Sequence, residues 1–214
     1  EYPRSAHRGV LEGVLAEYEY DIVVIGSGPA GHTAAIQSAK LGRRVAIVER
    51  STVVGGVMVN SGTIPSKTLR EAALYLTGYR QRGVYGRSYT VKQEIGMEDL
   101  LVRTDHVVQH EIDVTRHQLM RNRVEIITAE ASFIDPHKLR LSYTDGSGSR
   151  EITAANIVIA TGTSATRVEH IPFDGKRVFL TDDLLALERH HPLLVHCPVE
   201  QTHHQMVSRC LGHA

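Results

Sequence analysis

Short apolar runs alternate with a helical pattern near the start of the chain. Two runs rich in β-branched residues, Tyr20–Ile25 and Arg44–Glu49, lie on either side of Pro29–Leu41, which has small apolar residues at helical spacing. Such runs are typical of strands that a parallel sheet buries on both faces, and Pro29 suits the first turn of a helix. Gly42 is expected to end that helix. The order predicts a strand–helix–strand unit with a right-handed crossover.

The hydrophobic period changes several times in the middle of the chain. A loop that opens at Gly55 is predicted to reach Pro65, and it is followed by a helix over Ser66–Leu76 and by one long helix, or two, over Met97–Met120. Runs separated by turn residues then predict successive antiparallel strands, and a last apolar run predicts another buried strand. These segments are Val124–Ile127, Ala131–Ile134, Lys138–Tyr143, Glu151–Thr153 and finally Asn156–Ala160.

Composition and charge narrow the classes of partner. The formal net charge is +0, whereas nucleic acids and anionic membranes need a basic excess, so neither is expected as a partner. No apolar run approaches the roughly 20 residues that span a bilayer. The chain has two cysteines, Cys197 and Cys210, which are too few for a disulfide framework and favour a reducing, cytoplasmic setting.

Three segments are expected along the chain: an extension over residues 1–18, one domain over residues 19–189, and a tail over residues 190–214. The tail has six of the 13 histidines and both cysteines, without a helix or strand period. The histidines and cysteines of the tail are residue types that can bind zinc. Their spacing matches no usual ligand pairing, so an unstructured histidine-rich tail is favoured. The residues concerned are His196, Cys197, His203, His204 and Cys210.

A second histidine group, His106, His110 and His117, falls in the long predicted helix. His106 and His110 are four residues apart, so they share one face of a helix and could suggest a metal site. Exposed polar positions are the simpler interpretation of all three residues. No metal is therefore predicted for the chain.

The turn after the first strand reads Gly26-Ser27-Gly28-Pro29-Ala30-Gly31 and fits the pattern G-x-G-x-x-G. It has the context that the pattern requires, a strand before it and a helix after it. The first glycine permits a tight turn, the second lets the backbone approach a pyrophosphate, and the third lets the helix pack close to the strand. The helix N-terminus adds free N–H groups and a partial positive charge. A glycine-rich turn of another α/β protein is the alternative.

Glu49 ends the second strand, 23 residues after Gly26. A carboxylate at this position can accept hydrogen bonds from both hydroxyls of an adenosine ribose, and it would repel a 2′-phosphate. The nucleotide is therefore expected to be FAD or NAD rather than NADP. The motif and the order of elements together predict an α/β fold of the Rossmann-like kind, with a parallel sheet, a helical excursion and an antiparallel β-meander.

The next segment distinguishes FAD from NAD. It reads Gly55-Gly56-Val57-Met58-Val59-Asn60-Ser61-Gly62-Thr63-Ile64-Pro65-Ser66-Lys67. Without a gap, it resembles the flavin loop of the pyridine nucleotide–disulfide oxidoreductases, G-G-x-C-x-N-x-G-C-I-P-S-K. From Tyr20 to about Leu187 the chain is most similar to the soluble, Si-specific NAD(P) transhydrogenases of that family, a group that Asp182-Asp183-Leu184-Leu185 also resembles. The resemblance implies a Rossmann-like FAD-binding domain.

The departures from the family pattern bear on the chemistry. Met58 and Thr63 replace both redox cysteines, so no disulfide relay to a thiol substrate is expected. The transhydrogenase group also has threonine at the second position, but it keeps the first cysteine. The resemblance implies hydride transfer from NADPH to FAD and on to NAD⁺, with Lys67 near flavin N5, where its charge stabilises the reduced flavin. A solvated helix lysine is the alternative interpretation of Lys67.

The resemblance also implies cofactor contacts elsewhere in the chain. Ala129 and Ala131 lie in a small-residue stretch that contacts adenine in relatives, although tight strand packing explains both residues equally well. The turn Ala160-Thr161-Gly162 resembles the family turn that passes close to the flavin, where glycine allows the approach. The other candidates for cofactor binding lie in or beside the motifs already described, and they are Arg50, Gly55, Gly56, Gly62 and Thr63.

Members of the family are longer than this chain. They continue with a second nucleotide-binding unit for NAD(P)H, a segment that holds the ribityl chain and a dimerisation domain, so the FAD domain is expected to be incomplete. The departure from the family pattern after about Arg189 suggests truncation or a shifted reading frame. A homodimer is implied for the intact family. Two other interpretations stay open: a catalytically inactive FAD- or ADP-binding fragment, and a relative of dihydrolipoamide dehydrogenase that has lost its cysteines.

Overall fold

The computed structural model describes residues 18–164, 167, 171–174, 178 and 180–186 of the 214-residue chain. Two short 3₁₀ helices cover Tyr79–Gln81 and Thr181–Ala186. The order of the other elements matches the predicted α/β fold, with a helical excursion before the third strand. They are β1 Tyr20–Ile25, α1 Pro29–Lys40, β2 Val45–Glu49, α2 Gly56–Asn60, α3 Thr63–Leu76, α4 Arg82–Tyr85, α5 Met97–Arg121, β3 Glu125–Asp135, β4 Lys138–Tyr143 and β5 Ser149–Ile159.

The strands form a parallel and an antiparallel sheet that share β3 and β5. In the order β3–β2–β1–β5 the strands run parallel, with Val24 of β1 opposite Ile47 of β2 and Val158 of β5. Beyond their parallel segments, β3 and β5 are both antiparallel to β4, so the strands close into a barrel. This arrangement contains the predicted parallel sheet and the predicted antiparallel meander.

Alternate residues of β1 and β2 supply two separate cores, because successive side chains of a strand point to opposite faces. On one face, the cluster fills the space between the parallel and the antiparallel sheet, and it includes Val23, Val48, Leu139, Leu141 and Ile152. On the other face, β1 and β2 pack against α1 and α5, and this cluster includes Val24, Ile36, Ile47, Ile112 and Leu119. Both central strands are therefore buried on both faces, as their sequences predict.

Three local predictions are wrong. The segment predicted as a loop up to Pro65 forms α2 and α3, so the second of these helices begins at Thr63 rather than at Ser66. The runs predicted as separate strands at each end of the meander belong to single strands of 11 residues, β3 and β5. The last part of β5 is predicted to be buried, yet Ile159, which pairs with Ile25 at the end of both strands, is 65% exposed.

The long predicted helix is one element, α5, and its end has a strained residue. Arg123 adopts a left-handed backbone conformation, with φ of 59°. The N–H groups of Arg123 and Val124 donate to the carbonyls of Met120 and Leu119, at 2.9 and 3.1 Å. This is a Schellman ending, which usually has glycine at the position that Arg123 occupies. None of the described helices is both long and apolar enough to cross a membrane.

Candidate functional site

Three turns meet at the carboxyl edge of the parallel sheet. They follow β1, β2 and β5, and they contain the predicted turn Gly26–Gly31, the pair Gly55–Gly56 and the turn Ala160–Gly162. Ala160 N–H donates to the last carbonyl of β1 at 2.8 Å, and a Cβ on Gly26 would lie 2.3 Å from the Ala160 carbonyl oxygen. Ligands of open parallel sheets bind at this edge. The fold therefore brings the main candidate segments together.

The three glycines of the first turn differ in what requires them. A Cβ on Gly31 would lie 1.9 Å from the Gly26 carbonyl oxygen, so only glycine lets α1 pack this close to the turn. Gly28 has an ordinary φ of −63°, and an added Cβ would meet only the Gly56 Cα, at 4.0 Å. The folded chain therefore does not need glycine at position 28. This is expected of a glycine whose role is to let a ligand approach the backbone.

The N-terminus of α1 has backbone N–H groups that no described side chain caps. Gly28 is its N-cap and supplies no side-chain cap, and the first turn has no acidic residue. The first helical hydrogen bond runs from His32 N–H to the Gly28 carbonyl at 2.8 Å, so the N–H groups of Ala30 and Gly31 precede the helical ladder. Pro29 and Ala30 are exposed. These free donors and the partial positive charge of the helix end suit a phosphate.

The half-buried Glu49 lies beside this turn and is held by protein donors. Its Oε2 accepts hydrogen bonds from Ser27 N–H at 2.9 Å and from the Ser27 hydroxyl at 2.6 Å. Its Oε1 accepts one hydrogen bond, from Ser51 N–H at 3.0 Å. A carboxylate has about four acceptor positions, so one position stays open, on Oε1. In this arrangement Glu49 can accept one ribose hydroxyl, whereas the predicted two would require a protein donor to move.

The glycine pair after β2 folds back against the first turn. Gly55 and Gly56 both have positive φ, 106° and 61°, and a Cβ on Gly56 would lie 2.8 Å from the Gly28 Cα. Gly55 N–H donates to the Ser27 hydroxyl at 3.1 Å. Asn60 fixes the segment from its other end, because its side-chain amide donates to the Gly56 carbonyl at 2.9 Å. The segment 55–67, which resembles the flavin loop, and the turn Gly26–Gly31 are thus in direct backbone contact.

The residues predicted to bear on the flavin chemistry lie on α2 and α3. Met58 is on α2 with 37% of its surface exposed, and Thr63 is the first residue of α3. Lys67 follows about one turn later, is exposed, and makes no ion pair with any residue that the structure describes. Gly62 is the N-cap of α3 and offers no side-chain cap. The first N–H groups of α3 therefore add a partial positive charge near Lys67.

The two alanines of β3 have a packing role. Ala129 is buried in the cluster between the parallel and the antiparallel sheet, and Ala131 packs against that cluster. Tight strand packing is thus supported as an explanation for both small side chains. Thr128, one residue earlier, pairs with Glu49 across the parallel sheet. The β3 backbone therefore passes next to the candidate ribose carboxylate. Contact between this backbone and adenine stays a prediction.

Arg50, Thr161 and Gly162 are exposed at the same edge of the sheet. Arg50 directly follows β2, and the other two residues are in the turn after β5. Gly162 has a positive φ of 66°, a conformation that favours glycine. Their contacts with a cofactor stay predictions.

Two further polar residues at this site have no signal in the sequence. Ser27 occupies a position that the glycine pattern leaves unspecified, yet its side chain is fully buried and takes part in three hydrogen bonds through its N–H and hydroxyl groups. His32 lies near the start of α1, where burial lowers the pKa of its imidazole. Its Nε2 is buried and has no hydrogen-bond partner in the described part of the chain. Single polar residues of this kind have no periodic signal, so only three-dimensional contacts identify them.

The candidate metal ligands do not form a site in the part of the chain that the structure describes. His106, His110 and His117 are exposed along α5, and within the described ranges no three His, Cys, Asp or Glu side chains come together as a metal site. The candidate ligands of the tail, from His196 to Cys210, lie outside the described residues. A cavity of about 370 Å³ opens between α3 and α5, and it contains none of the predicted site residues.

Comparison with known proteins shows the family of the chain and several proteins that it is similar to. The chain matches the family model described as pyridine nucleotide-disulphide oxidoreductase over residues 20–193. It is 56% identical over 170 residues to the soluble pyridine nucleotide transhydrogenase of Mycobacterium tuberculosis (strain ATCC 25177 / H37Ra), covering 79% of this chain and 36% of that protein. A soluble pyridine nucleotide transhydrogenase of Colwellia psychrerythraea is 37% identical over 197 residues, covering 91% and 42%, respectively.

Solved structures agree with this result. The HOCl-induced flavoprotein disulfide reductase RclA from Escherichia coli has a TM-score of 0.61 and 30% identity, and the match covers 79% of this chain and 34% of that chain. A Cu(II) complex of the same reductase gives a TM-score of 0.62 at 31% identity. The chain spans 36% of the length of the Mycobacterium transhydrogenase and 42% of the length of the Colwellia transhydrogenase.

Proposed function

Because the chain belongs to the pyridine nucleotide-disulphide oxidoreductase family, we propose that it forms the FAD-binding part of a flavoprotein that carries hydride between pyridine nucleotides. The main support is the meeting of the Gly26–Gly31 turn, the Glu49 carboxylate and the Gly55–Gly56 pair at one edge of the sheet. NADPH and NAD⁺ are the proposed substrates, because the chain is 56% identical to a protein named as a soluble pyridine nucleotide transhydrogenase.

The residues at the sheet edge fit the adenosine diphosphate half of FAD. The free N–H groups at the start of α1 would bind the pyrophosphate, and Gly28 leaves the backbone open to it. The open acceptor position on Glu49 Oε1 would take a ribose hydroxyl. The negative charge of Glu49 disfavours a 2′-phosphate at this site, so the adenosine here should belong to FAD rather than to an NADP.

The start of α3 fits the flavin end of the cofactor. Lys67 adds a full positive charge to the partial charge of the helix N-terminus, and both favour negative charge on a ring bound beside them. When bound, FAD would supply the group that accepts hydride from one pyridine nucleotide and gives it to another. Met58 and Thr63 have no thiol, so the chain itself offers no disulfide for a thiol substrate.

Titration with FAD tests the binding part of the proposal. The chain should quench flavin fluorescence saturably, and Gly28→Ala should weaken FAD binding about tenfold or more, because a methyl group would stand where the pyrophosphate approaches. The stability of this variant should match that of the parent chain, since the added Cβ has space in the fold. Gly83→Ala, at a second position with open space, is the control and should bind FAD normally. Equal affinity of Gly28→Ala and the parent chain would contradict the proposed site.

A second candidate is an FAD- or ADP-binding fragment without catalysis. It needs only the contacts at the sheet edge that would bind the adenosine diphosphate half of FAD. Steady-state assays of the FAD-loaded chain with NADPH and NAD⁺ distinguish the two functions. NADH formation supports transhydrogenation, and FAD binding without turnover supports the fragment. Reduction of NAD⁺ by dihydrolipoamide would instead support a lipoamide-dehydrogenase-like relative.

A further inference from the structure

We propose that Ser27 is a positioning residue that joins the Glu49 carboxylate to the segment 55–67, so that nucleotide binding at Glu49 also orders Gly55. The inference rests on the proposed function, because it concerns the same nucleotide site. Ser27 lies between the first two glycines of the turn after β1, and its side chain has no contact with solvent. A buried hydroxyl in a ligand-binding turn must find its partners within the protein.

A continuous chain of hydrogen bonds passes through this hydroxyl. Gly55 N–H donates to Ser27 Oγ at 3.1 Å, and the Ser27 hydroxyl donates in turn to Glu49 Oε2 at 2.6 Å. The second bond is short and ends on a charged acceptor, as strong hydrogen bonds do. Each bond in such a chain polarises the next. A change in the freedom of Glu49 is therefore transmitted to Gly55 through one side chain.

At the Gly55 end of this series of hydrogen bonds, the N–H group has little freedom to find another partner. Gly55 is buried, and buried backbone N–H groups are almost always hydrogen-bonded. Its neighbour Gly56 packs against Gly28 so closely that a Cβ there would lie 2.8 Å from the Gly28 Cα. The start of α2 therefore rests on the dinucleotide turn through one hydrogen bond and one backbone contact.

The Glu49 end determines which oxygen faces the ligand. Ser27 donates to Oε2 twice, through its N–H and its hydroxyl, and thereby fills the acceptor positions of that oxygen. The ribose is left with Oε1, which accepts only from Ser51 N–H. A ligand bound there restricts the carboxylate, and a restricted carboxylate restricts Ser27 and Gly55. Coupling of this kind needs no change of shape, because it acts through lost freedom.

Hydrogen exchange of the full chain with and without ADP tests the coupling. ADP is the probe because it has the adenosine ribose and two phosphates but no flavin. In the parent chain, saturating ADP should slow exchange of the Gly55 amide roughly fivefold or more, a typical size for coupling between two sites. In Ser27→Ala, the amide should exchange fast in both states, and calorimetric titration should give roughly tenfold weaker ADP binding.

Two further variants keep this test independent of folding defects. Ser27→Cys preserves the buried volume while it weakens both hydrogen bonds, and it should fall between the parent chain and Ser27→Ala in exchange rate and in ADP affinity. Ser38→Ala removes a half-buried hydroxyl of α1 that donates only to the Ala34 carbonyl, and it should behave as the parent chain. ADP binding by the parent chain without slower exchange at Gly55 overturns the coupling alone. No ADP binding by the parent chain overturns both this inference and the proposed nucleotide site.

Discussion

Two carboxylates lie at opposite ends of the parallel sheet, Asp21 in β1 near its start and Glu49 at the end of β2. The Asp21 side chain is 8% exposed and accepts hydrogen bonds from the N–H and the guanidinium of Arg44, both at 2.8 Å. Glu49 is half-buried, and its donors among the described residues are the neutral groups of Ser27 and Ser51. One carboxylate is thus neutralised by a cation of the chain, and the other is not.

This difference separates a structural carboxylate from one that is free to bind a ligand. Burial alone would raise the pKa of Asp21, but the N–H and the charge of Arg44 outweigh burial and lower it. Each oxygen of Asp21 accepts from Arg44, so the charge of this carboxylate is compensated by a guanidinium of the chain itself. Glu49 has no cationic partner among the described residues and keeps one acceptor position open to them, the position proposed for a ribose hydroxyl. An ion pair within the chain thus holds Asp21, whereas Glu49 is the carboxylate that we propose for ribose recognition.

The largest effect is expected where the carboxyl end of the sheet depends on backbone contact. Gly31→Ala would put a Cβ 1.9 Å from the Gly26 carbonyl oxygen, and neither backbone segment can yield without moving α1. The free energy of unfolding should fall by about 3 kcal/mol or more, as measured by urea denaturation followed by circular dichroism. Gly83→Ala, which has open space, should stay within about 1 kcal/mol of the parent chain. Similar stabilities of the two variants would refute the close packing of α1.

The comparison between the carboxylates predicts opposite results for two amide substitutions. Asp21→Asn removes the charge that Arg44 compensates, and it should lower the free energy of unfolding by about 1–2 kcal/mol, since Arg44 is half-exposed. Its affinity for ADP should not change. Glu49→Gln keeps an oxygen for the Ser27 donors, so it should cost less stability than Asp21→Asn does, and it should weaken ADP binding about tenfold. Urea denaturation and calorimetric titration of both variants measure the two effects.

Acid titration supplies the control for this pair. Because the folded pKa of Asp21 lies below its unfolded value, its stabilising effect is present above about pH 4 and is lost as the pH falls through the folded pKa. Asp21→Asn should therefore reduce the loss of stability below pH 4. If the two variants exchanged their effects, with Asp21→Asn losing ADP and Glu49→Gln losing stability, the distinction between the two ends would be wrong.

The sequence predicts the elements of the fold better than their junctions. β1, α1, β2 and α5 follow from their hydrophobic periods, because each element buries the face that its pattern marks. The pattern could not show that β3 and β5 continue from one sheet into the other, since a strand keeps its period of two when its partner changes. It also missed α2, because a short helix that begins at the glycine pair, Gly55 and Gly56, resembles a loop in sequence.

The candidate site was predicted to a similar extent. The glycine turn and Glu49 have a fixed spacing that a sequence shows directly, and the fold places them side by side. Ser27 and His32 were missed because neither residue belongs to a period or to a specified motif position. Their roles depend on contacts, one with three hydrogen bonds and one with a buried Nε2 that lacks a partner among the described residues. Motifs thus predict which segments form the candidate site, and contacts decide how those segments are held.

His32 should make the carboxyl end of the sheet sensitive to mild acid. Burial lowers the pKa of its imidazole, so the unfolded chain binds a proton more readily than the folded one. The stability that comes from keeping this imidazole neutral is fully present above its unfolded pKa of about 6.5. It is lost progressively as the pH falls below that value. Urea denaturation at pH 7.5 and pH 5.5 should therefore give a larger loss for the parent chain than for His32→Leu, with a difference smaller than the effect of Asp21→Asn. An equal loss in both would show that the buried imidazole does not contribute.

The smallest effect is expected at the amino end of the parallel sheet, where α5 joins β3. Arg123 holds a left-handed conformation in a Schellman ending that its neighbours determine. Arg123→Gly removes the steric cost of this conformation but adds freedom to the unfolded chain, so we expect a net gain of about 0.5 kcal/mol. Thermal denaturation should show a slightly raised midpoint, while ADP affinity stays unchanged because Arg123 precedes β3 and Glu49 pairs with Thr128 farther along that strand. A lower midpoint would mean that the Arg123 side chain stabilises the fold by more than its backbone strain costs.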